Sequence, residues 1–188
     1  VLSSFGLAFE DLRSVRPDLV MASMTAAGHT GPLADMIGYG PSTGALAGFE
    51  GLVGYQGGPP LGAQQITYGD PIVASFAASA IAGALLRRQR VGTGVHIDVS
   101  QIEVTVAVMG HQVVGYNIGG QQPKTSGNRH PTMVPHGCYP CAGDDEWVSI
   151  AVGSDEEWRS MAELIGEPWV NDSQFATDEA RKLNEDDL

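Results

Sequence analysis

The sequence has little cysteine, with only Cys138 and Cys141 among its 188 residues. These two form one Cys-x-x-Cys pair, which alone matches half of a zinc site or a redox pair. No second cysteine pair completes a four-cysteine zinc site, so a reduced structural pair without a metal is our interpretation. Since the sequence also lacks a secretory hydrophobic region, a cytoplasmic location is expected.

Basic residues are scarce as well. Lys and Arg number 10 against 22 Asp and Glu, which gives a formal net charge of −12. The imbalance lies in residues 144–188, where fourteen acidic residues stand against Arg159, Arg181 and Lys182. We interpret this segment as a solvated acidic face. Such a face repels nucleic acids and anionic membranes, so neither is expected as a partner.

Long hydrophobic runs are also lacking. The longest run, from Pro71 to Leu86, has sixteen residues and is followed by Arg87 and Arg88. A membrane-spanning helix needs about 20 apolar residues, so this run predicts a buried helix in a globular protein. The content of 43% hydrophobic and 17% charged residues is typical of a folded globular protein. A length of 188 residues is enough for one domain and part of a second.

Helix and strand signals alternate along the chain, which predicts an α/β fold. Asp70-Pro71 marks the start of the clearest helix, because Asp is favoured as N-cap and Pro at the first helical position. Ser100 and Glu103 form a capping box that opens another helix. The predicted helices cover residues 9–15, 41–46, 70–90, 100–118, 154–166 and a segment from about Thr177. The predicted strands are a buried strand at 18–24, 95–99, one at Tyr139 and 147–152, and a long polar loop spans Gly119 to Pro135.

Asp70 is the most informative candidate for chemistry. A carboxylate at a helix N-terminus faces unpaired backbone N–H groups and the positive end of the helix dipole. These groups favour the ionised form and could stabilise negative charge on an adduct at the same carbon. An ionised carboxylate can also act as a covalent nucleophile. The alternative is that Asp70 is only a helix cap.

Three further residues are candidates for contact with a substrate. His29 lies in a loop rich in glycine, where an imidazole can serve as an acid or base or simply face solvent. Tyr39 lies between two glycines and could place a phenol in a cleft or pack locally. His130 lies in the long polar loop near His136, where substrate contact and turn chemistry both remain open. No third residue gives these histidines metal-ligand spacing, so no metal is expected.

In order and spacing, the motifs of this chain resemble those of the family III CoA-transferases. This family includes the carnitine, formate–oxalate and bile-acid CoA-transferases and the α-methylacyl-CoA racemases. The resemblance covers nearly the whole chain. The motifs that carry it are Arg16-Pro17-Asp18-Leu19-Val20, Gly28-His29-Thr30-Gly31-Pro32, Gly38-Tyr39, Gly58-Pro59-Pro60, Gly69-Asp70, Leu85-Leu86-Arg87-Arg88, Gly92-Thr93-Gly94, Asp98-Val99-Ser100, Gly127-Asn128-Arg129-His130-Pro131, Ile150-Ala151-Val152-Gly153 and Phe175-Ala176-Thr177 with Ala180-Arg181.

The resemblance implies a domain organisation. Residues 1–118 would be the second part of a large Rossmann-like domain, residues 119–137 a linker loop and residues 138–188 the start of a smaller α/β domain. The chain would then be an internal portion of the longer family chain. The resemblance also implies a homodimer of two interlocked subunits.

The resemblance further implies a reaction that needs no metal and no permanently bound cofactor, with coenzyme A and acyl-CoA as substrates. Asp70 would attack an acyl-CoA thioester and then carry CoA as an aspartyl thioester, before a carboxylic acid acceptor takes it up. Helix N-terminal amides would stabilise the tetrahedral intermediates. Tyr39, His29, Gly69 and His130 would contact the substrate or CoA.

Tyr39 separates the two branches of the family, because racemases carry His at the matching position. Tyrosine favours CoA transfer over racemisation. Two residues depart from the transferase pattern: Gly40 stands where an acidic residue is common, and His29 stands where Gln is common. The alternatives are therefore an α-methylacyl-CoA racemase or epimerase, and a truncated, non-catalytic scaffold of the same fold.

Overall fold

The structure, a computed structural model, describes residues 2–63 and 67–188 in two compact units. Unit 1 comprises Val1–Val53 and Pro60–Pro123, and unit 2 comprises Gly54–Pro59 and Lys124–Leu188. The helices and strands of unit 1 are α1 Phe9–Val15, β1 Val20–Thr25, α2 Gly40–Leu46, α3 Gly69–Val91, β2 Val95–Ser100, α4 Gln101–Val108 and α5 Gly110–Gly119. Those of unit 2 are β3 His136–Pro140, β4 Trp147–Ala151, α6 Asp155–Ile165 and α7 Asp178–Leu183. The chain is therefore α/β, as the sequence predicts.

The segment Gly54–Pro59 belongs to unit 2, although it precedes most of unit 1 in the sequence. The backbone N–H of Gly127 donates to the carbonyl of Gly54 at 3.0 Å, and the hydroxyl of Thr125 donates to the carbonyl of Gly58 at 3.0 Å. The expected linker 119–137 also contains the first residues of β3, because that strand begins at His136. The assignment of these segments to a large and a small family domain stays a prediction.

A parallel pair of strands forms the centre of unit 1. β1 pairs with β2 in register from Val20 opposite Val95 to Thr25 opposite Ser100. The pair can close only because residue 94 is glycine, since a Cβ there would lie 1.8 Å from the carbonyl oxygen of Leu19. One face of the pair packs on α3 and α4 through a core of Val73, Ala77, Val99 and Val104. β1 is mostly half-buried, not fully buried as the sequence predicts, because this core covers only one face.

Helix α3 differs from its prediction in burial and in length. Its buried residues are Gly69, Val73, Ala77 and Ala84, whereas Leu86 is 58% exposed, so the prediction of a buried helix is wrong. The 23 residues of α3, with a mean hydropathy of 1.5 over an 18-residue window, would be enough to cross a membrane by length and composition alone. No other helix among the described residues meets that criterion. Core helices of soluble proteins meet it too, so the finding assigns no membrane.

The predicted helix 100–118 is two helices in the structure. Ser100 caps α4 as predicted, since its hydroxyl accepts from the backbone N–H of Glu103 at 3.2 Å. The helical path breaks at Met109, whose ψ is 21°, and α5 begins at Gly110. A run of β-branched residues followed by glycine has low helix propensity, which accounts for the break.

Unit 2 is an antiparallel hairpin of β3 and β4 followed by two short helices. The helix starts predicted near Ser154 and Thr177 are confirmed, because Ser154 accepts from the N–H of Glu157 and Thr177 accepts from the N–H of Ala180. Gly166 ends α6 with a φ of 70°. The core consists of Val152, Trp158, Ala162, Val170 and Phe175. Cys138 and Cys141 are free and exposed.

Arg181 is the central polar residue of unit 2 and its side chain is 0% exposed. The guanidinium donates to the backbone carbonyls of Val134 at 3.2 Å and Phe175 at 3.0 Å. It also donates to the carboxylates of Asp155, at 2.9 Å, and Asp178. The ring of Trp158 lies 5.4 Å from the guanidinium carbon. A buried charge is tolerated when it is paired and fully hydrogen-bonded, and Arg181 meets both conditions.

Candidate active site

The Asp70 carboxylate is exposed at the start of α3, and a side-chain donor holds each of its oxygens. The side-chain amide of Gln101 donates through Nε2 to Oδ1 at 2.5 Å. The hydroxyl of Thr67 donates to Oδ2 at 2.9 Å. Each oxygen keeps further lone-pair capacity, because a carboxylate has about four acceptor positions. Asp70 is thus fixed in orientation while it stays open to a reaction partner.

Asp70 is not the N-cap that the sequence predicts. The helix begins one residue earlier at Gly69, with Tyr68 as N-cap, and the backbone of Tyr68 is already helical with a φ of −56° and a ψ of −31°. The N–H of Asp70 donates to the carbonyl of Thr67 at 3.1 Å, and the N–H of Ile72 donates to the carbonyl of Tyr68 at 3.2 Å. Pro71 has no N–H. The N–H groups of Asp70 and Ile72 are therefore already engaged, and the described donors to the Asp70 carboxylate are the side chains of Gln101 and Thr67. The expected part of helix amides in stabilising an Asp70 adduct stays a prediction.

Gln101 is itself held on both sides. Its Oε1 accepts from the hydroxyl of Thr43 at 2.9 Å, and its backbone carbonyl accepts from the hydroxyl of Thr105 at 2.8 Å. Thr43 and Thr105 are both 0% exposed, and Gln101 is buried. The amide therefore bridges a buried hydroxyl and the exposed carboxylate of Asp70.

Gly69 and Gly40 allow the residues around Asp70 to approach one another closely. A Cβ on Gly69 would lie 2.9 Å from Nε2 of Gln101 and 3.0 Å from its Cδ and Cγ. A Cβ on Gly40 would lie 2.4 Å from Cβ of Thr67. Gly40, which departs from the acidic residue expected there, thus leaves room for the residue that donates to Asp70.

Tyr39 lies at the N-terminus of α2 and its residue is 80% exposed. Its backbone N–H donates to the hydroxyl of Ser42 at 2.9 Å, and its carbonyl accepts from the N–H of Thr43 at 3.0 Å. Through Thr43, the backbone of Tyr39 is connected to the Gln101 amide. The phenol itself projects into solvent in this part of unit 1.

His29 pairs with Asp98, a residue that sequence reasoning left unassigned. Nδ1 of His29 lies 3.0 Å from Oδ1 of Asp98, and the backbone N–H of His29 donates to Oδ2 at 2.7 Å. On the same side of the strand pair, His96 Nε2 lies 2.8 Å from the Ser23 hydroxyl. His29, His96 and Ser23 line a cavity of about 690 Å³.

Burial acts to raise the pKa of Asp98, but hydrogen bonds from the backbone and ring of His29 outweigh it and leave the pKa lowered. A lowered pKa in the folded state means that the ionised carboxylate stabilises the fold. That contribution is present above the ordinary value of 3.8 and is lost as the pH falls through the lower folded pKa.

We therefore expect Asp98→Asn to make the stability of unit 1 less sensitive to acid. Below the ordinary pKa of 3.8, the free energy of unfolding should fall less steeply with decreasing pH in the variant than in the wild type. Urea unfolding between about pH 6 and pH 3, followed by circular dichroism, measures the two slopes. Parallel pH profiles would contradict a stabilising contact between His29 and the ionised carboxylate of Asp98.

His130 lies in unit 2, where it organises its own loop. Its Nδ1 accepts from the backbone N–H groups of Thr132 at 3.2 Å and Met133 at 3.1 Å. Its ring lies 5.2 Å from the ring of His136, which in turn bonds the carbonyl of Asn128. These contacts support the turn-chemistry alternative for His130, and its proposed substrate contact stays a prediction.

The structure thus brings together three of the predicted site residues. Asp70 and Gly69 lie against Gln101, and the backbone of Tyr39 is connected to Gln101 through Thr43. Thr43, Thr67 and Gln101 were missed by sequence reasoning. The sequence signal that could have pointed to Gln101 is its position as a polar residue directly after the Ser100 cap, at the start of a helix. Within the described ranges 2–63 and 67–188, no three His, Cys, Asp or Glu side chains are grouped in a way that could hold a metal ion.

Comparison with known proteins gives consistent similarities over the whole chain. The family described as CoA-transferase family III matches residues 1–188. The succinate–glutarate CoA-transferase of Agrobacterium fabrum is 35% identical over 96% of this chain and 44% of its own length. The acetyl-CoA:oxalate CoA-transferase of Acetobacter aceti is 33% identical over 100% of this chain and 48% of its own.

A solved structure supports the same relationship. The crystal structure of a CAIB/BAIF family protein from Brucella suis matches with a TM-score of 0.87 and 31% identity, over 100% of this chain and 49% of that chain. The chain therefore spans about half the length of the relatives it matches.

Proposed function

Because this chain belongs to CoA-transferase family III, we propose that the protein transfers CoA from an acyl-CoA donor to a carboxylic acid acceptor. The observation that carries the proposal is the Asp70 carboxylate, exposed at the start of α3 and held by Gln101 and Thr67. A nucleophile in a fixed orientation gains rate because less orientational freedom is lost in the transition state.

The reaction proceeds in two halves. An Asp70 oxygen attacks the thioester carbonyl, the carbon–sulfur bond breaks, and CoA leaves as a thiolate from a mixed anhydride. The thiolate attacks the Asp70 carbonyl carbon, the bond to the bridging oxygen breaks, and the donor acid leaves with that oxygen. An acceptor carboxylate then attacks the aspartyl thioester and the same steps run in reverse, which returns an oxygen to Asp70.

Small dicarboxylic acids are the acceptors to test first. The relatives are named for transfer involving succinate and glutarate and for transfer to oxalate. A third relative, from Chloroflexus aurantiacus, is named as a succinyl-CoA–D-citramalate CoA-transferase and is 32% identical over 100% of this chain. The shared feature of these names is a short acid with more than one carboxylate.

The racemase alternative is not favoured. Tyr39 stands where the resemblance places the histidine of racemases, and the relatives reported above are named as CoA-transferases. CoA would be a substrate in this proposal, with no cofactor held permanently. A homodimer and a cytoplasmic location are part of the same proposal, supported by the family likeness and by the reduced cysteines. Size-exclusion chromatography tests the dimer.

The test is capture of CoA on Asp70. The full-length protein is incubated with succinyl-CoA, acetyl-CoA or oxalyl-CoA and quenched, and the mass of the peptide that contains Asp70 is measured. A CoA-sized adduct, or its hydroxylamine-trapped product, on that peptide supports CoA transfer. Exchange of the α-proton of an α-methylacyl-CoA in deuterated water, without an adduct from any of these thioesters, would support a racemase. The absence of both signals would support a non-catalytic scaffold.

A further inference from the structure

We propose that Gln101 is a catalytic residue of this site, whose amide stabilises the negative charge that develops on Oδ1 of Asp70. The inference rests on the proposed CoA transfer. In that reaction, the thiolate adds to Cγ of Asp70 and the electron pair of the carbonyl bond moves onto the oxygen that stays attached. A donor fixed beside that oxygen before the reaction lowers the barrier.

The orientation of the amide is determined by its partners. An ionised carboxylate can only accept hydrogen bonds, so the Gln101 group that faces Asp70 must be the NH₂ group. Its oxygen then lies 2.9 Å from the hydroxyl oxygen of Thr43, which also lies 2.9 Å from the carbonyl oxygen of Gly40. The Asp70 carboxylate therefore fixes which end of the amide faces it, and Thr43 contacts the other end as a positioning residue.

The two oxygens of Asp70 differ in what surrounds them. Oδ1 lies beside the buried amide of Gln101, whereas Oδ2 accepts from the hydroxyl of exposed Thr67. Oδ2 is the more accessible oxygen to attack a thioester and to leave with the donor acid. Oδ1 then remains on Cγ through every intermediate, and the Gln101 donor stays in place without reorganisation.

Three positions in the first turn of α3 offer no free backbone donor for this task. The N–H groups of Asp70 and Ile72 are engaged by the carbonyls of Thr67 and Tyr68, and Pro71 has none. Gly69 has a defined part in the arrangement, because a Cβ there would lie within 3.0 Å of the Gln101 side chain. Any larger residue at 69 would displace the donor from Asp70.

The main experiment is Gln101→Met in the full-length protein, since methionine has a similar length and no donor. We expect kcat to fall about 100-fold, the size typical of the loss of one oxyanion donor, while KM for both substrates stays within about 3-fold. Single-turnover mass spectrometry should show slower formation and slower discharge of the Asp70–CoA adduct. Wild-type rates in this variant would overturn the inference.

A matched pair of glycine variants separates the chemistry from folding. Gly69→Ala and Gly83→Ala introduce the same methyl group into the same helix, but a Cβ at Gly83 meets nothing within 4 Å. We expect Gly69→Ala to lower kcat by at least about 10-fold and Gly83→Ala to leave it unchanged while raising thermal stability slightly. Equal kcat values in the two variants would contradict the role of the Gln101 contact.

Thr43 provides a rescue test. Thr43→Val removes the hydroxyl that orients the amide, and we expect kcat to fall about 10-fold. Thr43→Ser keeps the hydroxyl and should restore most of that loss, whereas a purely steric role would leave serine no better than valine.

If the wild-type protein forms no adduct at all, the proposed CoA transfer fails. If it forms one and the Gln101 and Thr43 variants match its rates, only this inference fails.

Discussion

Replacement of Asp70 by asparagine is expected to lower the rate of CoA transfer at least about 1,000-fold. It should also abolish the CoA adduct on the peptide that contains residue 70. The amide has the shape of the carboxylate, so its Oδ1 can still accept from Gln101, but its nitrogen has no free pair to attack a thioester. The structure predicts an inactive protein that remains folded. The measurement is steady-state transfer between succinyl-CoA and a dicarboxylic acid.

The matched control is Asp144→Asn, which makes the same change in the exposed turn of the β3–β4 hairpin. It should transfer CoA at the wild-type rate and unfold at the wild-type temperature. Transfer by Asp70→Asn within about 10-fold of the wild type would place the nucleophile elsewhere, because removal of a covalent nucleophile costs several orders of magnitude.

Replacement of Arg181 by methionine is expected to destabilise unit 2 by about 2–4 kcal/mol. Methionine fills much of the volume, but the carbonyls of Val134 and Phe175 lose their donor in a dry environment. The guanidinium hydrogen bond, which lowers the pKa of Asp155, is lost as well. Urea unfolding followed by tryptophan fluorescence reports on this unit, because all three tryptophans, Trp147, Trp158 and Trp169, lie within it.

Arg159→Met is the control for charge and helix propensity. Arg159 is exposed on α6 and donates to the backbone carbonyl of Asp155 at 3.1 Å. Its replacement should change the free energy of unfolding by no more than about 0.5 kcal/mol, as is usual at the surface. An equal effect of the two substitutions would show that burial of Arg181 contributes nothing.

Sequence signals predicted the α/β class and most element starts, because caps such as Ser100, Ser154 and Thr177 act within a few residues. The start of α3 was misplaced, since Asp70-Pro71 is a strong local signal while the backbone of Tyr68 is already helical. The burial of α3 was also misjudged. Hydrophobic composition indicates that a helix can be buried, but not which elements pack against it.

The sequence predicted Asp70 as a site residue, but not the residues Gln101, Thr43 and Thr67 around it. Asp70 became prominent through its position in a family motif, whereas local spacing alone also fits a plain cap. Gln101 contacts Asp70 across 31 positions of sequence and Thr43 across 58 positions, so no local pattern marks either contact. Such contacts arise only when α2, α3 and α4 begin close together, which is a property of the tertiary fold.

The inclusion of Gly54–Pro59 in unit 2 has a consequence for how the molecule can be divided. The chain passes between the units at three places, after Val53, after Pro59 and after Pro123. Residues 124–188 are therefore not an excisable module, since cutting before Lys124 removes the carbonyl partners of Gly127 and Thr125. A chain divided at that point is therefore expected to leave residues 124–188 less stable than they are in the intact protein.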